Sequence, residues 1–156
     1  MCSRRGRVGH VKFSNTVTIN RPQREVFAYL ADFENVPRWN YAIEQTRKVT
    51  DGPVGVGSRY RQRRTLPRRS EETFDVVTFE PEHTIVIRGD LGPFHGDIAY
   101  VLESAGDATV LTNTMDLTAS GPLRVVAPLG SSRISNAVAA NLDVLRQILE
   151  RGGGKD

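Results

Sequence analysis

Three groups of residues in this chain have side chains suited to chemistry. In "SRYRQRRTLPRR", Ser58 to Arg69, six of twelve residues are Arg. On a strand, alternation puts Arg59, Arg61 and Arg63 on one face and Tyr60, Gln62 and Arg64 on the other. Turning the three-Arg face inward would bury cations without enough carboxylates to pair them, so Tyr60, Gln62 and Arg64 are predicted to point inward. Phenol, amide and guanidinium together offer hydrogen-bond donors to enol or carbonyl oxygens. In "LTNTMDL" the row Leu111, Asn113, Met115, Leu117 has one polar member. A buried amide needs partners, which makes Asn113 either a satisfied core amide or a hook for a ligand. The third group, His10, His83 and His95, is scattered; His95 lies between Asp90 and Asp97, on the face of its strand expected to point outward.

No nucleophile-elbow G-x-S-x-G, zinc H-E-x-x-H or redox C-x-x-C is present. The glycines of "GVGSRY" lack the third glycine and following helix of a dinucleotide fingerprint. No metal and no organic cofactor is therefore expected, and no catalytic residue is assigned. The single cysteine, Cys2, has no intramolecular partner for a disulfide.

Composition bounds the class. A chain of 156 residues can bury one substantial core, and 38% hydrophobic with 25% charged residues is globular in character. The longest apolar runs fall far short of the roughly 20 residues that span a bilayer. The basic start "MCSRRGRVGH" is followed by polar alternation, not by a continuous apolar stretch, so a cytoplasmic location is expected. The net charge of +3 is modest, and only three of the 21 basic residues are Lys. Residues 1–10 read as a mobile basic tail, 11–150 as one domain and 151–156 as a flexible tail.

These residues need elements to hold them. Val11, Phe13, Val17 and Ile19 alternate as a half-buried strand, and "NRPQ" opens a helix with Asn20 as N-cap and Pro22 in the first turn. Val26, Phe27, Leu30 and Ala31 give that helix one buried face. A second short helical piece carries Phe33, Val36, Trp39, Ala42 and Ile43, interrupted at Pro37. Six strand-like segments follow, "QTRKVT", "SRYRQRRT", "ETFDVVTFE", "TIVIRG", "FHGDIAYVLES" and "TVLTNTMDL", separated by turns too short for parallel crossovers. The sheet is predicted to be an antiparallel meander. A closing helix carries Ile134, Val138, Leu142, Leu145 and Leu149 on one stripe; it starts near Pro122 with a kink at Pro128, or is capped at Ser131 or Ser132.

The order strand, two short helices, six strands, long helix resembles the START-like, or Bet v 1-like, superfamily, and within it the bacterial polyketide cyclase/dehydrase and lipid-transport group. The resemblance spans Val11 to Glu150 and rests on "RPQREVFAYLADFENVPRWN", "DGPVGVGSRYRQ", "FEPEHTIVIRG" and the terminal "LDVLRQILE". It implies an α+β helix-grip fold: a curved seven-stranded antiparallel sheet wrapped around the long C-terminal helix, with two short helices after strand 1 and an apolar cavity between sheet and helix. Trp39 and Asn40 would then stand at the entrance, with Trp39 also plugging that end of the core. The concave face would present Tyr60, Gln62, Arg64, Phe94, Ile98, Tyr100, Leu111, Asn113 and Met115 to Ile134, Val138 and Leu142.

Such a cavity implies a small hydrophobic partner, a lipid, polyketide or aromatic metabolite, bound without reaction. The alternative is an aromatase/cyclase-type enzyme acting on a poly-carbonyl chain, which needs positioned donors and no special nucleophile. A lesser alternative is an adaptor that contacts RNA or another anionic partner through the Arg-rich hairpin. No DNA partner is expected, and the chain is read as a monomer or homodimer.

Overall fold

A computed structural model describes residues 10–119 and 131–152. The first alternating segment forms β1 (His10–Ile19), whose Val11 and Ile19 are buried. Helix α1 (Gln23–Ala31) follows and buries the expected face, Val26, Phe27, Leu30 and Ala31. A single 3₁₀ turn (Phe33–Asn35) leads into the one-turn α2 (Val36–Trp39), which has Pro37 in its first turn, where the missing N–H costs nothing. The remaining strands are β2 (Ile43–Lys48), β3 (Arg59–Arg64), β4 (Ser70–Glu80), β5 (Thr84–Leu91), β6 (Phe94–Ala105) and β7 (Ala108–Ala119), and α3 (Ser131–Gly152) closes the chain.

All seven strands join one sheet in the order β1-β7-β6-β5-β4-β3-β2, every neighbouring pair antiparallel. The meander is continuous from β2 to β7, and β1 pairs with β7. The architecture is the α+β helix grip. Its curvature has a local cause in the row Phe74–Gly89–Gly96–Leu117, which crosses β4 to β7. A Cβ on Gly89 would stand 2.3 Å from the Thr73 carbonyl oxygen, and one on Gly96 would stand 2.2 Å from that of Asp116. Only glycine lets adjacent strands coil this closely, so the paired glycines form the crease about which the sheet bends.

Helix α3 is tied to β1 and to the two residues that follow it. Asn15 Nδ2 donates to the Ser135 carbonyl at 3.2 Å, the Asn20 backbone N–H donates to Glu150 Oε2 at 2.8 Å, and Arg21 Nε donates to the Leu149 carbonyl at 3.3 Å. The last contact satisfies an end carbonyl of α3 with a cation, where the helix dipole favours one.

Two local expectations are corrected. Asn20 does not cap α1, since its backbone serves the far end of α3 and the N-cap position falls to Pro22 without a side-chain bond. The second helical piece ends at Trp39: Asn40 is extended, and its Oδ1 accepts from the Ala42 N–H at 3.0 Å. Ala42 therefore lies in a turn and Ile43 opens β2, so the apolar spacing that read as a helix face spans a helix, a turn and a strand. The possible start at Pro122 and the kink at Pro128 lie outside the described residues.

Candidate functional site

The curved sheet and the N-terminal half of α3 leave between them a cavity of about 520 Å³, within the range that holds a drug-sized molecule. Its floor comes from the middle strands: Phe74 of β4, Ile87 and Leu91 of β5, Phe94, Ile98 and Tyr100 of β6, and Asn113, Met115 and Leu117 of β7. The roof is one stripe of α3, Ile134, Ala137, Val138, Asn141 and Leu142, with Arg133 beside it. Phe33, Val36, Trp39 and the turn Asn40–Ile43 close one side, and Leu66, Pro67 and the β5–β6 turn Gly92–Pro93 form the remaining rim.

Most of the residues expected on this wall are on it: Trp39, Asn40, Gln62, Arg64, Phe94, Ile98, Tyr100, Asn113, Met115, Ile134, Val138 and Leu142. Tyr60 and Leu111 are not. Tyr60 is 1% exposed, stacks on Phe74 with ring centroids 5.1 Å apart, and meets Phe33 edge-on at 5.2 Å. The Phe33 ring covers it, so an inward direction on β3 leads at that position into packed core. Leu111 is fully buried in the same core. Burial, with lesser contributions from the carboxylates Asp32 and Glu34, pushes the Tyr60 phenol up to about 12. Burial alone drives the Tyr100 phenol still higher, so both are neutral donors.

The polar corner of the cavity is organised by Glu72, whose side chain is 1% exposed. It accepts from Gln62 Nε2 at 2.8 Å, from Arg64 Nε at 2.5 Å and Nη2 at 3.2 Å, and from the Gly92 backbone N–H at 2.5 Å. Gln62 Oε1 in turn accepts from Thr46 Oγ1 at 3.2 Å. One carboxylate thus neutralises Arg64, orients Gln62 and pins the β5–β6 rim turn over both. The sequence reading missed Glu72. Its signal was the phase of β4, which puts Glu72 in the same inward row as Phe74 and Val76. The rim residues Leu66, Pro67, Gly92 and Pro93 carried no comparable signal, because turns have no period to read.

Asn113 is 1% exposed, and its Nδ2 donates to the Ala99 carbonyl at 3.4 Å while its Oδ1 has no partner. Trp39 is 5% exposed and its indole N–H is likewise unpaired. The histidines all lie off the cavity wall. His10 Nε2 pairs with Asp116, His83 Nδ1 receives Gln23 Nε2 at 3.2 Å, and the exposed His95 Nδ1 meets Asp90 at 3.0 Å. Among the described residues, no group of His, Cys, Asp and Glu side chains is placed to hold a metal ion, and no helix is long and apolar enough to cross a membrane.

The Arg-rich hairpin turns its alternate face to solvent. Arg59 forms a two-pronged bond to Asp75 at 2.7 and 3.1 Å, and Arg63 lies 3.6 Å from Glu44 and 3.7 Å from Glu71. Arg61 stands opposite Arg47 on β2 and Thr73 on β4.

A family model described as polyketide cyclase / dehydrase and lipid transport matches residues 10–150. No sequence among curated proteins matches the chain. Solved structures resemble it in fold. A START superfamily protein from Mycobacterium smegmatis aligns with a TM-score of 0.78 at 19% identity, covering 92% of this chain and 99% of that one. The Zhui aromatase/cyclase from Streptomyces sp. R1128 aligns at 0.74 with 16% identity, covering 92% and 95%. The di-domain aromatase/cyclase StfQ of the steffimycin biosynthetic pathway aligns at 0.77 with 14% identity over 97% of this chain and 54% of its own, so the chain spans about half of that protein.

Proposed function

The chain belongs to the polyketide cyclase/dehydrase and lipid transport family, and from that premise we propose that it binds a small hydrophobic molecule in the cavity between the sheet and α3. The observation that carries this reading is the cavity itself: about 520 Å³ walled chiefly by apolar side chains from β4 to β7, α2 and α3. A cleft of this volume, lined mostly by apolar side chains with a few polar groups, has the character of small-molecule sites. An apolar fluorescent probe should bind the folded protein with one-to-one stoichiometry. Val138→Trp, which projects a larger ring from the roof into the space, should abolish binding while the far-ultraviolet circular dichroism is kept. Undiminished binding in that variant would count against this placement of the site.

A second reading, a cyclase acting on a poly-carbonyl chain, is favoured by one observation. Gln62 and Arg64 are fixed at one corner of an apolar space by a buried carboxylate, a preorganised set of donors of the kind that stabilises charge developing on a carbonyl oxygen. Incubation with poly-β-keto thioester mimics separates the two. Aromatic product formed above the buffer rate, lost in Arg64→Ala or Asn113→Ala while affinity is kept, supports the enzyme; loss of affinity with no product at any stage supports the carrier.

A further inference from the structure

We infer that the occupant of the cavity is an amphiphile whose single anionic group, a carboxylate or a phosphate monoester, stays at the mouth against Arg133 while its apolar body fills the space behind. The inference rests on the ligand-binding reading and deepens it. Arg133 both lines the cavity and is exposed to solvent, so it stands where the cavity opens. Among the described residues, no Asp or Glu lines the cavity, and the charged residues on its wall are Arg64 and Arg133.

The two cations differ in what they meet. Arg64 spends Nε and Nη2 on Glu72, which neutralises it. Arg133 has no hydrogen bond or ion pair among the described residues. The residues three and four positions on, Asn136 and Ala137, are uncharged, and the chain carries no Asp or Glu from Leu117 to Leu142. The wall is therefore left with one positive charge that no described side chain neutralises. Helix stability does not account for that charge either, because the first turn of α3 holds no acid and a cation there opposes the helix dipole.

The ligand's charge and its direction both follow. A neutral molecule filling the space to its mouth would strip water from the guanidinium and return no partner. A carboxylate or phosphate at that place accepts two parallel N–H bonds from the guanidinium fork. The head group must face outward. Deeper in, an anion would lose its hydration among apolar side chains and meet in Arg64 a cation already paired. At the mouth it keeps part of its water and gains Arg133, while its apolar body lies along Ile134, Ala137 and Val138, which follow Arg133 on the roof.

The test uses one fluorescent frame with four ends: 1-pyrenebutanoate, the phosphate monoester of 1-pyrenebutanol, 1-pyrenebutanol itself and 1-pyrenebutylamine, titrated at neutral pH and low salt. On the unaltered protein at least one anion should bind about fivefold or more tightly than the alcohol, with the ammonium weakest, and the advantage should shrink in about 0.5 M salt. The tighter anion identifies the head group. Arg133→Gln should bring the anions down to the alcohol's affinity and leave the alcohol's own unchanged, and Arg133→Lys should retain part of the advantage. Arg24→Gln, at an exposed residue off the wall, makes the same change in net charge as Arg133→Gln and should leave the series as it was. Equal affinities of anions and alcohol, or an anion advantage that survives Arg133→Gln or falls as far in Arg24→Gln, would overturn the inference while leaving the ligand-binding reading standing. Failure of all four compounds and of the apolar probe would overturn both.

Discussion

Glu72 shows how much one side chain can organise. A glutamine at this position keeps the shape but leaves the Arg64 guanidinium without its counter-charge and turns one acceptor toward donors as an N–H₂. Removing one partner of a largely buried pair costs about 3–5 kcal/mol, and the 14% exposure of Arg64 places the expected loss for Glu72→Gln near the lower figure, about 3 kcal/mol in chemical denaturation. Tyr60 gives a prediction of pH dependence. Burial raises its folded pKa to about 12, above the ordinary tyrosine value of about 10, so the folded state holds its proton where the unfolded state has lost it. Stability from this group is therefore complete below about pH 10 and is lost as pH rises towards 12, by about 3 kcal/mol for two units. Tyr60→Phe should flatten that part of the alkaline stability curve; an unchanged slope would show that Tyr60 is not the group responsible. Residue by residue, alternation revealed which side chains turn inward on β3 and β7, and so placed Gln62, Arg64 and Asn113 on the cavity wall. It could not reveal that Phe33, twenty-seven positions upstream in another element, seals Tyr60 away from it, because a strand's period encodes a face and not what lies against it.

At the scale of elements, the meander was legible because turns and alternation repeat through it, and the crease was not. Nothing in "IRGDLGPFHG" announces that Gly89 and Gly96 will face each other across β5 and β6; that follows from register, which the turn sets only once the strands are paired. Gly96→Ala should place a methyl group against the backbone of β7 and cost about 1–3 kcal/mol, read as a lowered denaturation midpoint. Gly106→Ala supplies the contrast: space there is open, so any loss comes only from its positive φ of 67°. Equal losses would argue against crowding at the crease. The hairpin β3–β4 gives a second prediction. Its outer arginines are largely met by carboxylates across the strands, while Arg61 faces a like charge in Arg47. Arg61→Ser should leave the stability unchanged or raise it by a few tenths of a kcal/mol, read as an equal or slightly higher melting temperature. Salt-sensitive RNA binding abolished by that single change would instead promote the hairpin to a contact surface.

For the molecule as a whole, the terminal helix does two jobs along its length. Towards its end, Leu145 and Leu149 are buried in the core shared with Ile19, Val26, Phe27 and Leu30. Nearer its start, Ile134, Ala137 and Val138 are only partly buried and line the cavity. Cutting back a side chain in packed core opens a new void, whereas cutting back one that already borders a cavity only enlarges it. Leu145→Ala should therefore cost about 2–5 kcal/mol, and Val138→Ala distinctly less than its lost methyl groups would cost in a sealed core. Ligand should invert the order of importance. A compound that binds the folded state alone stabilises it by about 2.7 kcal/mol at a hundred times its dissociation constant. With a cavity ligand at that excess, unaltered protein and Leu145→Ala should gain alike in thermal denaturation. Val138→Trp, its space filled, should gain nothing. Equal ligand-induced stabilisation of Val138→Trp would show that binding occurs elsewhere, and equal costs for the two alanine variants would show that the start of α3 is packed as tightly as its end.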